Sequence, residues 1–184
     1  MEIIKTSFDG LFIIKPKVHT DERGYFLESF NQSVFEKAGL FFTPVQDNES
    51  RSARGVLRGL HYQLQPAAQA KLLRVVSGKI LDVAVDIRPW SDTFGKWFSL
   101  ELDGLEHVYL FIPRGFAHGF SVISPIAIIQ YKCDNFYTPA QERGIRFDDP
   151  DLGIDWRLGN TLPIISERDL AHPSFADADN NFIP

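Results

Sequence analysis

Residues 72–87 read LLRVVSGKILDVAVDI, and this stretch decides the class of fold. Val, Ile and Leu dominate both halves, Leu72–Val76 and Ile80–Ile87, and predict two β-strands. Ser77-Gly78 lies between the halves and predicts a tight hairpin turn. In the second half Asp82 and Asp86 lie on the same face of the strand as Ala84. The residues on the opposite face are all apolar: Leu81, Val83, Val85 and Ile87. This period of two predicts a strand with one apolar wall.

The rest of the chain has the same strand character. The one helix signal is Asn31–Gly39, where Ser33 followed by Glu36 resembles a capping box and Gly39 suits the end. After Tyr137 the pattern becomes rich in turns. Many short strands between Gly and Pro turns predict an all-β sandwich or barrel with one or a few short peripheral helices. The other predicted strands are Tyr25–Phe30, Trp97–Leu102 (before the hairpin signal Asp103-Gly104), Val108–Ile112, Gly119–Ile123 and Ile126–Cys133.

Length and composition limit the classes of protein. The 184 residues suit a single domain, 1–184, and we expect residues from about 170 to 184 to be peripheral. No apolar run is long enough for a membrane span, and Met1–Asp9 lacks the apolar run of a signal peptide. Cys133 is the only cysteine, so no internal disulfide is possible, which favours a reducing cytoplasm.

Charge is unevenly distributed. The formal net charge of −5 argues against a nucleic-acid partner. The segment Ser50–Leu81 nevertheless contains no acidic residue and six basic ones, while acids dominate Phe147–Pro184. This pattern indicates a local anion site, such as one for phosphate, or a solvated basic face that pairs with the acidic tail.

Two segments contain the residue types of a functional site. Gly55, five residues and then His61 form one, and Pro113-x-Gly115-x-x-His118 forms the other. Both resemble the two motifs of cupins, double-stranded β-helical jelly rolls that usually hold a metal with three His and one Glu. Here Gln63 replaces the second His, and Ala67 or Ala68 stands where the Glu is expected. Two imidazoles alone make a poor metal site, so the fold is indicated and the metal is not.

A closer resemblance covers about residues 21 to 169. The chain resembles the dTDP-4-dehydrorhamnose 3,5-epimerase family, a metal-free, cupin-like group that needs no cofactor. Each motif alone is weakly specific, but their common order is strong. The motifs are DERGYFLE (21–28), QDN (46–48), RGVLRGLHYQ (54–63), QAKL (69–72), DVAVD (82–86), TFGKW (93–97), IPRGFAHGF (112–120), YKC (131–133), ERGI (142–145), DPDLGI (149–154) and SERD (166–169).

The resemblance implies an isomerase that acts on dTDP-4-dehydro-6-deoxyglucose, a step of dTDP-L-rhamnose biosynthesis. The C4 ketone lets the hydrogens at C3 and C5 leave as protons, and inversion then needs a base, an acid and a group that stabilises the enolate. By the resemblance His61 is the proton acceptor, Asp169 orients its imidazole, Tyr131 is the proton donor and Lys71 lies near the C4 oxygen. Without the resemblance, Asp169 fits a turn residue and Tyr131 an ordinary strand aromatic.

The resemblance also implies the substrate contacts. Arg23 and Arg58 would meet the diphosphate or the sugar, since guanidinium suits phosphate. Arg23 and Glu28 could equally form a surface ion pair. The other implied contacts are Glu28, Gln46 and Asn48 toward the nucleoside, His118 as a substrate contact rather than a metal ligand, Tyr137 stacked on thymine, and Glu142 and Arg168, the last standing where many relatives have Lys.

Three functions stay open at this point. The first is the 3,5-epimerase, and the second is an epimerase of one carbon only or of another nucleotide-linked 4-keto sugar. The third is a sugar-nucleotide-binding module without catalysis, which the presence of His61, Asp169, Tyr131 and Lys71 together argues against. The resemblance further implies a homodimer with an exchanged N-terminal strand, and neither a nucleic-acid nor a membrane partner.

Overall fold

Two β-sheets packed face to face form the body of the chain in a computed structural model that describes residues 1–184. Strands hold 42% of the residues and helices 7%, which confirms the all-β prediction. The strands are β1 (Glu2–Lys5), β2 (Phe12–Lys15), β3 (Val18–Asp21), β4 (Gly24–Leu27), β5 (Gln46–Ala53), β6 (Leu57–Gln63), β7 (Lys71–Ser77), β8 (Lys79–Asp86), β9 (Trp97–Asp103), β10 (Tyr109–Ile112), β11 (Phe116–Val122), β12 (Ile126–Cys133) and β13 (Glu142–Gly144).

The strand order is that of a jelly roll. The first sheet has the order β1-β2-β10-β7-β12-β5, and the second has the order β13-β6-β11-β8-β9. Strands β3 and β4 form a separate two-stranded hairpin. From β9 to β12 the chain crosses between the two sheets at each step, so neighbours in sequence lie in different layers. This arrangement confirms the predicted cupin-like jelly roll.

The turn at Ser77-Gly78 is not a hairpin, and that prediction is wrong. Strand β7 lies in the first sheet and β8 in the second, so the chain turns a corner between layers. Gly78 has φ 82, and a Cβ there would lie 2.1 Å from the carbonyl oxygen of Ile126. Asp103-Gly104 makes a similar crossing from β9 to β10, so the second hairpin prediction is also wrong. Turn residues specify a reversal of the chain, but burial decides which strand becomes the partner.

Strand β8 is buried on both walls. Leu81, Val83 and Val85 pack in a cluster between the second sheet and the segment after β13, which includes Trp156 and Phe182. The opposite wall faces the space between the sheets, where an apolar cluster fills one end of the sandwich. A third cluster covers the outer face of the first sheet. The two aspartates of β8 are therefore enclosed rather than solvated.

Helices are short and lie at the periphery. The first, α1 (Gln32–Lys37), begins after Asn31, whose side chain accepts a hydrogen bond from the Val34 N–H. The predicted capping role of Ser33 is therefore wrong, since Asn31 precedes it and has the extended backbone of a cap. A 3₁₀ turn covers Pro139–Gln141 and a second helix, α2, covers Glu167–Leu170. Neither α-helix has the length and the apolar character that crossing a membrane requires.

The buried carboxylate of Asp86, at the end of β8, fixes the position of Arg88, which packs on the first residue of β11. Asp86 accepts hydrogen bonds from the Arg88 guanidinium at 2.9 and 2.7 Å and from Ser91 and Thr93 hydroxyls at 2.6 Å each. The Arg88 guanidinium also lies over the ring of Phe116, the first residue of β11, at 4.7 Å. Burial alone would raise the pKa of Asp86, but these hydrogen bonds outweigh it and lower the pKa.

We expect Asp86→Ala to destabilise the fold by about 3–5 kcal/mol, because it leaves the buried Arg88 guanidinium without its partner. Urea denaturation followed by circular dichroism measures the change in the free energy of unfolding. Asp92→Ala is the matched control: its side chain is exposed, and we expect a change within about 0.5 kcal/mol. Equal effects of the two substitutions would contradict the anchoring role.

Candidate active site

On each sheet, the side chains that face the other sheet form inward rows along the strands. These rows are apolar at one end of the sandwich and polar at the other. In β7 the row of Leu73 and Val75 continues to Lys71, and in β12 the row of Ile129 continues to Tyr131. The polar ends enclose a cavity of about 120 Å³. Its lining residues from both sheets and the adjoining loops are Gln46, Asn48, His61, Tyr62, Gln63, Gln69, Lys71, Tyr131, Cys133, Tyr137 and Glu142.

A bulge in β6 turns two functional side chains to the same side. His61 pairs with His118 of β11, whereas Arg58 pairs with Phe120, so three steps on one strand match two on the other. Simple alternation would place Arg58 and His61 on opposite faces; the extra residue brings both toward the first sheet. Gly59 makes this possible with φ 115, and a Cβ there would lie 2.6 Å from the Cα of Gly119.

His61 is held by a buried carboxylate. Its Nε2 lies 3.0 Å from Oδ1 of Asp169, whose other oxygen accepts a hydrogen bond from the Gly59 N–H at 3.1 Å. Ser166 caps α2 by accepting from the Asp169 N–H at 3.1 Å, which fixes the carboxylate's position. Burial alone would raise the pKa of Asp169, but the hydrogen bond and charge of His61, with the Gly59 N–H, hold that pKa well below its usual value.

The tautomer of His61 follows from this contact. An ionised carboxylate can only accept hydrogen bonds, so the proton of the neutral imidazole lies on Nε2, toward Asp169. Nδ1 is then left with a free lone pair. His61 can therefore accept a proton at Nδ1, and the Asp169 carboxylate stabilises the imidazolium that forms.

Tyr131 and Lys71 reach the cavity from the opposite wall. Burial raises the pKa of Tyr131, so its phenol keeps its proton. Burial lowers the pKa of Lys71, and nearby negative groups, including Asp82 and Glu142, oppose this only in part. The wall thus offers an un-ionised phenol O–H and a lysine amine at the same cavity.

Arg58 lies next to the edge strand β5 of the first sheet. Its Nε donates to the Ser52 hydroxyl of β5 at 3.3 Å. Its positive charge lowers the pKa of Tyr131, but burial raises that pKa by more. Arg58 itself is largely exposed. Arg58 is not among the lining residues, but its charge reaches Tyr131, so its exposed guanidinium suits an anionic group that stays outside the cavity.

His118 is buried next to the cavity and is paired with a residue that the sequence analysis missed. Its Nε2 lies 2.9 Å from Oδ2 of Asp82, and Asp82 is fully buried. The second carboxylate oxygen, Oδ1, has no hydrogen-bond partner, and the Asp82 charge acts on Lys71. The sequence contained a signal for this role of Asp82, because a carboxylate in an otherwise apolar strand needs a charged or polar partner when it is buried.

Three more of the predicted contacts form one cluster at the mouth of the cavity. The Glu142 carboxylate accepts hydrogen bonds from the Tyr137 hydroxyl and from the Arg168 guanidinium. The Tyr137 N–H donates to Oε1 of Gln46 at 2.8 Å. Burial alone would raise the pKa of Glu142, but the hydrogen bonds from Tyr137 and Arg168 lower it. Glu142 is therefore an anion that fixes the orientation of an aromatic ring.

The residues at the cupin metal position do not fit a metal. The Gln63 amide donates to the carbonyls of Ala67 at 2.7 Å and Phe136 at 3.1 Å, and it accepts from the Thr138 N–H at 2.6 Å. His118 is already engaged by Asp82. Gln63 thus holds the loop that carries Tyr137, and the position supplies no carboxylate ligand.

Arg23 and Glu28, two of the predicted substrate contacts, do not line the cavity of their own chain. Arg23 lies on the β3–β4 hairpin with its side chain 85% exposed and pairs with Asp21 at 2.5 Å. Glu28 lines a separate recess beside α1. The surface ion pair between Arg23 and Glu28 is not formed, because Asp21 takes the guanidinium instead.

Known proteins resemble this chain over nearly its whole length. The sequence profile of a family described as dTDP-4-dehydrorhamnose 3,5-epimerase matches residues 5–177. The protein of that description from Shigella flexneri is 52% identical over 180 residues, which cover 97% of this chain and 98% of that protein. The one from Methanothermobacter thermautotrophicus is 54% identical over 167 residues, which cover 90% of each.

Solved structures agree with the sequence comparison. A dTDP-6-deoxy-D-glucose-3,5-epimerase from Legionella pneumophila, in complex with dTDP-4-keto-L-rhamnose, has a TM-score of 0.92 and 47% identity, covering 97% of this chain and 94% of that one. A 3'-monoepimerase from Streptomyces bikiniensis in complex with dTDP-quinovose has a TM-score of 0.87 and 37% identity, covering 93% and 86%. By sequence and by fold, this chain belongs to the dTDP-4-dehydrorhamnose 3,5-epimerase family.

Proposed function

We infer that this chain is an epimerase that inverts C3 and C5 of dTDP-4-dehydro-6-deoxy-D-glucose and yields dTDP-4-dehydro-L-rhamnose, a step of dTDP-L-rhamnose biosynthesis. The observation that carries the inference is the placement of His61 and Tyr131 on facing sheets around one cavity. Inversion at carbon requires a base on one face and an acid on the other, and opposite walls supply that arrangement. Family membership supplies the identity of the sugar nucleotide.

The reaction begins at His61. Nδ1 accepts the proton from C3 or C5, the electron pair of the C–H bond becomes the C=C bond of an enolate, and the C4 oxygen gains negative charge. The Asp169 carboxylate stabilises the imidazolium without accepting the proton. The imidazolium then returns to the neutral state by giving its proton to water.

The opposite wall completes the inversion. We propose that the Lys71 ammonium stabilises the enolate oxygen and that the Tyr131 hydroxyl delivers a proton to the opposite face of the carbon. The tyrosinate then recovers its proton from water. A second cycle at the other carbon uses the same groups once the ring is repositioned, so no redox or cofactor chemistry is needed.

We propose that the remaining predicted residues bind the substrate. Arg58 at the rim suits the diphosphate, Tyr137 stacks on the base, and His118 with Asp82 lies beside the sugar. Gln46, Asn48, Glu142 and Arg168 supply polar contacts around the mouth of the cavity.

We also propose a cytoplasmic homodimer of single-domain chains. Arg23 and Glu28 lie away from this chain's cavity, so the exchange of N-terminal strands that the resemblance implies would carry them to a partner's site. The exposed β3–β4 hairpin suits such an exchange, with Tyr25 58% and Phe26 70% exposed. The buried, free thiol of Cys133 suits a reducing compartment.

Incubation of the chain with the dTDP-keto sugar in deuterated water tests the function. We expect NMR and mass spectrometry to detect solvent deuterium at both C3 and C5 of the product, because each carbon passes through an enolate. Label at one carbon only would indicate a monoepimerase, and no label at either would indicate a binding module.

The same assay tests the base. We expect His61→Asn to lower exchange at both carbons by about 100-fold or more, since a positioned general base contributes about 10²–10⁴-fold. His107→Asn is the matched control, because His107 lies on a surface turn with φ 54, a conformation that Asn tolerates. Near-normal exchange in His61→Asn would refute the assignment.

The alkaline side of the pH profile tests Lys71. Burial lowers the Lys71 pKa, so this lysine loses its proton at a lower pH than an exposed lysine does, and we expect kcat/KM to fall with that loss. We expect Lys71→Arg, whose guanidinium stays charged, to move this fall upward by about one pH unit or more. Lys132→Arg, outside the cavity and paired with Asp47, should leave the profile in place. An unmoved fall in Lys71→Arg would exclude Lys71 as its source.

A further inference from the structure

A second imidazole lies behind the His61–Asp169 pair and takes no part in the proposed reaction. Nε2 of His172 is 3.8 Å from Oδ1 of Asp169, the same oxygen that lies 3.0 Å from Nε2 of His61. The two rings meet nearly edge to face, with centroids 5.5 Å apart. All three donor atoms lie within 4.8 Å of one another.

The backbone makes room for this third group. Gly144 pairs with His61 across β13 and β6, and a Cβ at Gly144 would lie 2.3 Å from the His172 Nε2. Only a residue without a side chain therefore admits the ring at this place. The His172 Nε2 is buried and has no hydrogen-bond partner, an uncommon state for a polar atom that points toward a carboxylate.

We propose that His61, Asp169 and His172 form an inhibitory site for Zn²⁺. Two imidazoles and one carboxylate are a typical zinc donor set, and they leave a fourth position for water. The site shares His61 with the cupin motif, but it uses Asp169 and His172 in place of the residues around Gln63 and His118.

The distances permit closure around the ion with a small movement. Zinc bonds of about 2.0–2.2 Å place neighbouring tetrahedral ligands about 3.4 Å apart. The His61–Asp169 contact of 3.0 Å has to open by about 0.4 Å to reach this separation. The His172 Nε2 lies 3.8 Å from the same oxygen, and its ring has to move by about 1 Å to join them. Asp169 stays in place, because its Oδ2 remains bound to the Gly59 N–H.

Zinc at this site would block the base. A metal on Nε2 of His61 displaces the proton from that atom, and the neutral ring then carries its proton on Nδ1, the atom that must accept one from the sugar. The binding of zinc does not depend on the proposed epimerase activity, whereas the inhibition rests on it.

Metal titration of the untagged full-length chain tests the binding. We expect calorimetry to give one Zn²⁺ per chain, Mg²⁺ to give no binding, and Co²⁺ to give the absorption bands of a tetrahedral site. His172→Ala should weaken Zn²⁺ binding by more than about 100-fold, since loss of a second-shell partner alone costs about 10–100-fold. His107→Ala, with its histidine on a surface turn, should bind Zn²⁺ like the unmodified chain.

Activity gives a second, separable measurement. We expect Zn²⁺ to stop deuterium exchange in the unmodified chain, a chelator to restore it, and His172→Ala to resist the inhibition. Absence of Zn²⁺ binding, or equal affinity in the unmodified chain and His172→Ala, would overturn the proposal. Specific binding in a chain without epimerase activity would refute the proposed function and leave the metal site standing.

Discussion

The arrangement of the site depends on one buried carboxylate. Asp169 comes from a four-residue helix near the end of the chain and reaches β6 with both oxygens, one to the Gly59 N–H and one to the His61 ring. These contacts join residues 110 and 108 positions apart. His61, the proposed base, therefore gains its orientation only when the C-terminal segment has packed against the second sheet. The same contact fixes the bulge that turns His61 inward.

The jelly roll explains why the proposed acid and the proposed base face each other. Each sheet presents one inward row, and the rows are apolar at one end and polar at the other. Strand β6 gives His61 from the second sheet, while β7 and β12 give Lys71 and Tyr131 from the first. Burial between the sheets then sets their protonation states: the carboxylate stays charged through its hydrogen bonds, and the phenol stays neutral. The fold thus supplies opposite walls, and the polar end of each row supplies the chemistry.

Sequence patterns predicted the strands well and their partners poorly. Ile126–Cys133 was predicted with its observed bounds, because its run of strand formers ends at clear turn residues. Ser77-Gly78 was misread, since a tight turn looks the same in a hairpin and at a corner between sheets. Asp169 illustrates the same limit for the site: its local sequence fits an exposed turn, and only the family resemblance linked it to His61.

Residues whose role depends on tertiary contacts were the ones missed. Asp82 was noted in an alternating pattern and in the family motif DVAVD, but not as the partner of His118. His172 was not predicted as a site residue. Its approach to Asp169 depends on the absence of a side chain at Gly144, which no local sequence pattern shows. Arg23 and Glu28 were predicted as substrate contacts, and a single chain keeps them away from its own cavity. In the proposed homodimer a second chain would bring these residues to a site, and no local sequence pattern describes that chain.

The proposed mechanism requires base and acid on opposite walls of the cavity, and exchange by Tyr131→Phe in deuterated water tests this separation. With His61 intact and the donor removed, the enolate forms and is reprotonated from the side of the base. We expect recovered substrate to gain deuterium with unchanged configuration, while formation of the epimerised product falls by about 100-fold or more. Loss of both exchange and product, or product formed at the normal rate, would contradict it.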